Sequence, residues 1–537
     1  MKNIERKTVV ASFLLILTLL PALFIRLRLL DFPLERDEGE YAYAGQLLLQ
    51  GIAPYVQAYN MKWPGIYAAY ALIMAVFGQS VAGIHLGVTL VSFTTALLLF
   101  VITRRIAGNA AGIVAAGTYS LLSISTGTLG LAGHATHFVM LPALGGIALL
   151  MESEDRLSAW KIFAAGVLLG TAPLMKQHGV VFGLFCAVWL ARREYGRTSN
   201  KVLAQHLGLL GLGGIIPLFL TVLLLATAGV LGKFWLWTFT YARAYTGIVT
   251  LPQGWENFQF AVRMLTATSP GLWCLALCGA AMLFLVPSLR PWRRFVTVFS
   301  LVSLLAVCPG LYFRRHYFII LLPAIGILAG FTAAGIFKLQ HVFSRPAFMT
   351  GLLFSLAAGI SLWTEHDIFF RMSPDLACRE VYGPNPFPES LNIARYIEEH
   401  SRSDARIAVF GSEPQISFYS RRHSATGYIY MYPLMEKQPL AAMMQQEMIQ
   451  EIETAKPCYI VLVSVPTSWL RSADSQPILF NWMNGYLAKI RLAGFVEILQ
   501  DGTYYSWNLP PAATLTTLIK NRKSDYWIAV MENQALP

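Results

Sequence analysis

Long apolar runs, each closed by polar or charged residues, organise most of this chain. The first, Thr8–Ile25, carries no charge and has about the length that crosses a ~30 Å hydrocarbon core. Runs of this kind predict spanning helices near residues 8–28, 80–103, 109–127, 134–151, 160–175, 179–192, 205–230, 268–287, 295–310, 317–337 and 346–363, about 11 crossings in all. The runs 160–175 and 179–192 are short, which local thinning of a bilayer accommodates. The run 65–77 is shorter still and reads as a helix at the outer membrane face. Were it to span, every later orientation would invert.

From Thr364 onward the pattern changes to short mixed segments. Leu391–Glu399 predicts a short helix, Arg406–Phe410 a strand, Gly411–Pro414 a turn, Ile416–Tyr419 a second strand and Tyr459–Val465 a buried strand. Helix then strand, repeated, predicts a small α/β layer. The expected fold class is therefore mainly α: a polytopic transmembrane helical bundle over 1–363, with its first outer loop at 30–64, and a soluble C-terminal α/β domain over 364–537.

Composition agrees. The 537 residues are 55% apolar and 13% charged, with mean hydropathy +0.53, against about 25% charged in soluble domains. The first apolar run follows the basic stretch Met1–Lys7, as a signal peptide would. But Arg26 and Arg28 follow it directly and no small-residue cleavage pattern is evident, so a retained helix is expected.

The net charge of +12 does not point to nucleic acid, because the cations cluster at the ends of apolar runs and no recognition module is present. With Met1–Lys7 inside, Arg104 and Arg105, then Arg156 and Lys161, then Arg192, Arg193, Arg197 and Lys201, then Arg290, Arg293 and Arg294, then Lys338 and Arg345 all fall on the inner side, as orientation by short-loop charge requires. The C-terminal domain is then expected outside the cytoplasm, in the periplasm or an equivalent space. The six cysteines include no CxxC pair, which argues against a zinc or iron–sulfur centre. Cys378 and Cys458 both fall in the tail, where they either pair or stay free.

Cations on the outer side break the charge pattern, and carboxylates gather there too. Asp31, Glu35, Asp37, Glu38 and Glu40 lie within ten residues after the first helix. Asp37 or Glu38 suits a helix N-terminus ahead of the periodic run Tyr41–Leu49. Either also suits a general base whose pKa partial desolvation would raise. Lys62 precedes a helix start set by Pro64; it either binds a lipid phosphate or snorkels, with Trp63 as an interface anchor. Lys176-Gln177-His178 interrupts an apolar run, where a lysine is costly unless paired or holding an anion; the plain alternative is a hairpin turn. Arg314-Arg315-His316-Tyr317 is a similar basic cluster. Three outer loops thus offer cations suited to one phosphate. His134 and His137 share a helix face; with no acid or cysteine near them in sequence, they read as cavity lining rather than metal ligands. Trp235, Trp237, Tyr241 and Tyr245 read as an interface belt, with sugar stacking or polyprenyl contact as the alternative.

These residues, in this order, resemble the dolichyl-phosphate-mannose–protein mannosyltransferase-like family, glycosyltransferase family 39, and its bacterial relatives; the lipid A aminoarabinose transferases are similar. Arg36-Asp37-Glu38-Gly39-Glu40-Tyr41-Ala42-Tyr43, Lys62-Trp63-Pro64-Gly65, Lys176-Gln177-His178 and Arg315-His316-Tyr317 carry the likeness. Val409-Phe410-Gly411-Ser412-Glu413-Pro414-Gln415 and Tyr419-Ser420-Arg421-Arg422 extend it into the tail. The resemblance implies a GT-C fold and an inverting transfer of sugar from a polyprenyl phosphate. It implies Asp37, with Glu38 beside it, as catalytic, Lys62 as a donor-phosphate contact, and Lys176, Arg314 and Arg315 as further phosphate contacts. Tyr41, Tyr59, His134, His137, His178 and Tyr317 are the candidate pocket lining. Two departures stand out. Lys62-Trp63-Pro64 replaces the family's Lys-Pro-Pro. The second outer loop, Leu131–Met140, lacks the acid that many members carry, and His137 is its candidate replacement.

The expected protein is thus a multi-pass enzyme of a bacterial cytoplasmic membrane, N-terminus inside, with no cofactor and no metal. Its expected partners are a polyprenyl-phosphate-linked sugar, membrane lipids and a glycan, lipid or protein acceptor. The competing expectation is a transporter or flippase for a polyprenyl-linked glycan or lipid, which would need the same cavity and cations.

Overall fold

The computed structural model describes residues 2–151, 158–499 and 502–533, with side chains from residue 9. Arg156 and the side chains of Met1–Lys7, counted above among the inner cations, lie outside the described residues. A helix stands at each of the eleven expected places, including Val81–Ala107, Asn109–Leu122, Ala135–Leu150, Ala159–Met175, Val180–Glu194, Asn200–Thr227 and Leu322–Lys338. By length and composition only Val9–Arg28, Val81–Ala107, Asn200–Thr227 and Pro346–Thr364 reach a full span. A fifth arises if Leu251–Thr268 and Pro270–Leu285, bent 105° at Ser269, form one broken span. The other apolar helices have 13–17 residues, and at ~1.5 Å per residue they fall short of ~30 Å. The chain is a multi-pass membrane protein, and the expected count of eleven full crossings is not reached by helix length alone.

The bundle packs through small residues. A Cβ on Gly170 would stand 2.1 Å from the carbonyl of Gly214, so the Ala159–Met175 and Asn200–Thr227 helices meet backbone to backbone. This is the close approach that small residues permit between apolar helices.

The tail is an α/β domain, as expected. Its six strands are β1 (Arg406–Phe410), β2 (His423–Ser424), β3 (Tyr459–Ser464), β4 (Arg491–Ile498), β5 (Thr503–Trp507) and β6 (Trp527–Glu532). They lie in the order β2-β1-β3-β6-β4-β5. β1 pairs parallel with β2 and β3, and the remaining pairs are antiparallel. The expected helix and the two strands at 406–410 and 459–465 are present. The expected strand Ile416–Tyr419 is instead part of a helix, Pro414–Ser420. Pro414 occupies its first turn, where a missing N–H costs nothing, and the helix docks on the segment around Leu34 and Gly39. Cys378 and Cys458 are both free.

The tail sits directly on the first loop. Tyr419 Oη accepts a hydrogen bond from the Leu34 amide at 2.9 Å, and Tyr43 Oη one from the Ser424 amide at 2.8 Å. Arg36 pairs with Glu413 at 2.7 Å. A Cβ on Gly39 would lie 2.7 Å from the Gln415 nitrogen, so only glycine lets these two helices approach. The aromatic segment also turns inward. Trp237 and Tyr241 are each 1% exposed and pack against Tyr428 and Glu436 of the tail. Of the expected belt, Trp235 alone stays largely exposed.

Candidate active site

The short helix Arg36–Leu49 carries the acidic cluster. Its cap is Glu35, whose side chain accepts from the Glu38 amide, rather than Asp37 or Glu38. Adjacent helical residues diverge by about 100°, so the two expected catalytic acids face different surroundings. Glu38 is fully buried. Its Oε1 accepts from the Gly133 amide at 2.5 Å and lies 3.2 Å from His85 Nε2. It therefore fastens the loop at Gly133 and the Val81–Ala107 helix to the first loop, which makes it a positioning residue.

Asp37 faces the other way, toward a group of cations and aromatic rings, with 21% of its side chain exposed. Its Oδ1 accepts from Lys62 Nζ at 3.5 Å and from Tyr430 Oη at 3.2 Å. Its Oδ2 lies 3.9 Å from His134 Nδ1 and 3.7 Å from His316 Nε2. The two imidazoles stack with centroids 4.1 Å apart. Burial pushes the Asp37 carboxyl up, but Lys62, then His134, Arg314 and Lys176, outweigh it and hold it well below the usual range. This reverses the expected upward shift: desolvation is present, but the surrounding cations are closer.

Lys62 also donates to Tyr41 Oη at 2.9 Å. Glu40 lies behind it, accepting from Tyr67 Oη at 2.6 Å and Asn60 Nδ2 at 2.8 Å. Burial pushes Glu40 up to about 7, against the pull of Lys62. Lys176 is 8% exposed. Its ammonium rests 3.5 Å from the centroid of the Tyr317 ring, a cation–π contact. No carboxylate lies within ion-pairing distance of it among the described residues. Burial and the repulsion of Lys62 hold its pKa well below the ordinary lysine value. His178 packs edge-on against the same Tyr317 ring.

Arg314 is exposed, within electrostatic reach of Asp37, and makes no ion pair among the described residues. Arg315 turns away and donates to the Thr126 carbonyl at 3.4 Å. Tyr59 also leaves the site: its hydroxyl donates to Glu451 at 2.8 Å and its ring stacks on Trp237. His137 is fully buried, with neither ring nitrogen hydrogen-bonded. His134, rather than His137, stands opposite the first-loop acid.

Of the residues proposed from sequence, Asp37, Tyr41, Lys62, His134, Lys176, Arg314 and Tyr317 thus come together, with His178 at the edge. Glu38, Tyr59, His137 and Arg315 do not. The sequence reading passed over Glu40, His316 and Tyr430. Glu40 and His316 lay inside the segments already singled out, whereas Tyr430 carried no local signal. Asp37, His134 and His316 offer three ligand atoms within 4.8 Å of one another, a set able to hold a divalent cation. The acid that the histidines lacked in sequence comes from a different loop. The nearby ammonium groups of Lys62 and Lys176 work against a cation there and favour an anion.

The fold is of GT-C type; in this chain an apolar helical bundle carries a charged first loop, on which a C-terminal α/β domain rests. The family described as dolichyl-phosphate-mannose-protein mannosyltransferase matches residues 62–224, in agreement with the resemblance drawn from the sequence. Among solved structures, ArnT from Cupriavidus metallidurans bound to undecaprenyl phosphate is similar at 14% identity and TM-score 0.59, over 97% of this chain and 98% of that one. The archaeal oligosaccharyltransferase AglB from Archaeoglobus fulgidus, in complex with an inhibitory peptide and a dolichol-phosphate, is similar at 11% identity and TM-score 0.53, over 95% of this chain and 75% of that one. No curated protein matches.

Proposed function

We propose that this chain is an inverting glycosyltransferase. It moves a sugar from a polyprenyl-phosphate donor to an acceptor at the outer face of a cytoplasmic membrane. The observation that carries the reading is Lys176: a buried amine beside Lys62 and Arg314, with no carboxylate within ion-pairing distance among the described residues. Its charged form is costly unless an anion joins it. The structural neighbours crystallised with undecaprenyl phosphate or dolichol-phosphate support a lipid phosphate as that anion.

Donor phosphate binds between Lys62, Lys176 and Arg314, its prenyl chain lying in the membrane. Lys62 then divides its charge between phosphate and Asp37, and the grip that held the Asp37 pKa down weakens. The carboxylate becomes a better proton acceptor at the moment the donor arrives. Asp37 orients the acceptor hydroxyl and takes its proton. The hydroxyl oxygen attacks the anomeric carbon from the face opposite the phosphate, the C1–O bond breaks, and its electron pair leaves on the lipid phosphate. The cations stabilise that developing charge, and the juxtaposition of the reactants supplies much of the rate.

The test is full-length protein in nanodiscs with undecaprenyl phosphate, the product-side ligand. Saturable binding that weakens in Lys176→Met is expected. Binding that is absent, or equal in that variant, would sink the phosphate assignment.

A further inference from the structure

Of the outer aromatic segment, Trp237 and Tyr241 are buried, but Tyr245 is only half-buried and has a different partner. Its ring stacks on Tyr312, centroids 4.4 Å apart and planes 9° from parallel. The Arg314 guanidinium lies 5.6 Å from the Tyr312 centroid. Glu436 stands nearby: one carboxylate oxygen accepts from Tyr241 Oη at 2.6 Å, and among the described residues no donor bonds to the other oxygen. Arg314 is within electrostatic reach of both Glu436 and Asp37. Beside Asp37 the chain therefore gathers a stacked aromatic pair, a carboxylate oxygen and a guanidinium that makes no ion pair among the described residues.

The ligand this set suits can be argued by elimination. An acyl chain would strand the two charges in an apolar contact. An amine would meet Glu436 but also the repulsion of Arg314. A polyhydroxylated ring satisfies every group: its C–H face packs on an aromatic ring, and its hydroxyls donate to the carboxylate and accept from the guanidinium. Burial pushes Glu436 up to about 7, so near neutral pH it can both donate to and accept from hydroxyls.

We infer that Tyr245, Tyr312 and Glu436, with Arg314 as their inner boundary, form a subsite for a carbohydrate acceptor. The direction of its reactive hydroxyl, toward Asp37, rests on the transferase reading above; the binding of the sugar does not.

The experiment is saturation-transfer-difference NMR on the full-length protein in nanodiscs, with a panel of methyl hexosides and pentosides as probes. At least one glycoside should bind, and its affinity should fall about 3- to 10-fold in Tyr245→Ala, the range expected for one lost aromatic contact. Glu436→Gln should weaken it as well, while Tyr245→Phe, which keeps the stack, should restore binding and so exclude misfolding. No binding by any glycoside, or equal binding in both Tyr245→Ala and Glu436→Gln, would overturn the subsite. Undecaprenyl phosphate is measured in the same nanodiscs. If it fails to bind while a glycoside still binds through Tyr245, the transferase reading falls and the subsite stands.

Discussion

Tyr430 donates a hydrogen bond to Asp37 Oδ1 across 393 positions of chain, 3.2 Å away in space. The contact joins the C-terminal domain to the charged first loop at the acid that also meets Lys62. The tail thus supplies part of the site's wall, and Glu413, Tyr419 and Ser424 hold the helix that carries Asp37 in place.

Replacing that acid should stop chemistry and spare the fold. Asp37→Asn keeps an acceptor for Tyr430 but loses the negative charge, and sugar transfer should fall about 10²- to 10⁴-fold. Release of free polyprenyl phosphate in single-turnover assays measures it. Near-normal release would remove Asp37 from the mechanism.

Lys176 should trade stability against binding. Lys176→Met removes a buried amine whose charged form is disfavoured there, so the unliganded protein should gain stability, by about 1 kcal/mol, read as a raised melting temperature. Undecaprenyl phosphate affinity should fall about 10- to 100-fold, the value of one charge-assisted bond. A variant that is both less stable and equally retentive would contradict the assignment.

The neighbouring arginines should separate. Arg314→Ala should raise the donor KM, because its guanidinium lies within electrostatic reach of Asp37. Arg315→Ala should leave donor KM unchanged, because Arg315 is turned to the Thr126 carbonyl. Steady-state kinetics at fixed acceptor distinguishes the two.

Glu40 should give a pH signature in stability. Its folded pKa of about 7 lies above the ordinary 4.5, so folding disfavours the ionised form. The resulting penalty is absent below 4.5, grows as pH rises, and is complete above about 7, reaching roughly 3 kcal/mol at ~1.4 kcal/mol per unit. Thermal melts from pH 4.5 to 8 should show wild type losing stability relative to Glu40→Gln across that window. Parallel curves would show that Glu40 is not held protonated.

Chelation should leave transfer unchanged if lysine and arginine supply the positive charge. Loss of activity with EDTA, restored by a divalent ion and absent from His134→Ala, would instead assign Asp37, His134 and His316 to a metal.

Much of this site could be read from the chain because membrane proteins penalise misplaced charge. Asp37, Lys62, Lys176 and Arg314 stood out as charges in loops expected on the side where short loops are otherwise poor in them, and the three cations gather around Asp37. The choice between neighbours could not be read. Asp37 and Glu38 differ by about 100° on a helix, as the paired arginines differ in a loop, and only tertiary docking decides which side chain looks inward. Ile416–Tyr419 has the β-rich composition of a strand, yet Pro414 and the surface of the first loop turn it into a docking helix. The eleven apolar helices were legible, but Leu251–Thr268 and Ala441–Ala455 were not, nor was whether each apolar helix crosses a bilayer, since several end at 13–17 residues.

The position of β6 bears on how the molecule is made. It comes after every other strand in the chain, yet it lies inside the sheet, bonded to β3 on one side and β4 on the other. Until residues 527–532 have left the ribosome, the halves on either side have no common partner and their inner edges stay open to other chains. A nonsense codon or a proteolytic nick just ahead of Trp527 would therefore divide the sheet between β3 and β4, and the resulting polypeptide should be cleared as misfolded.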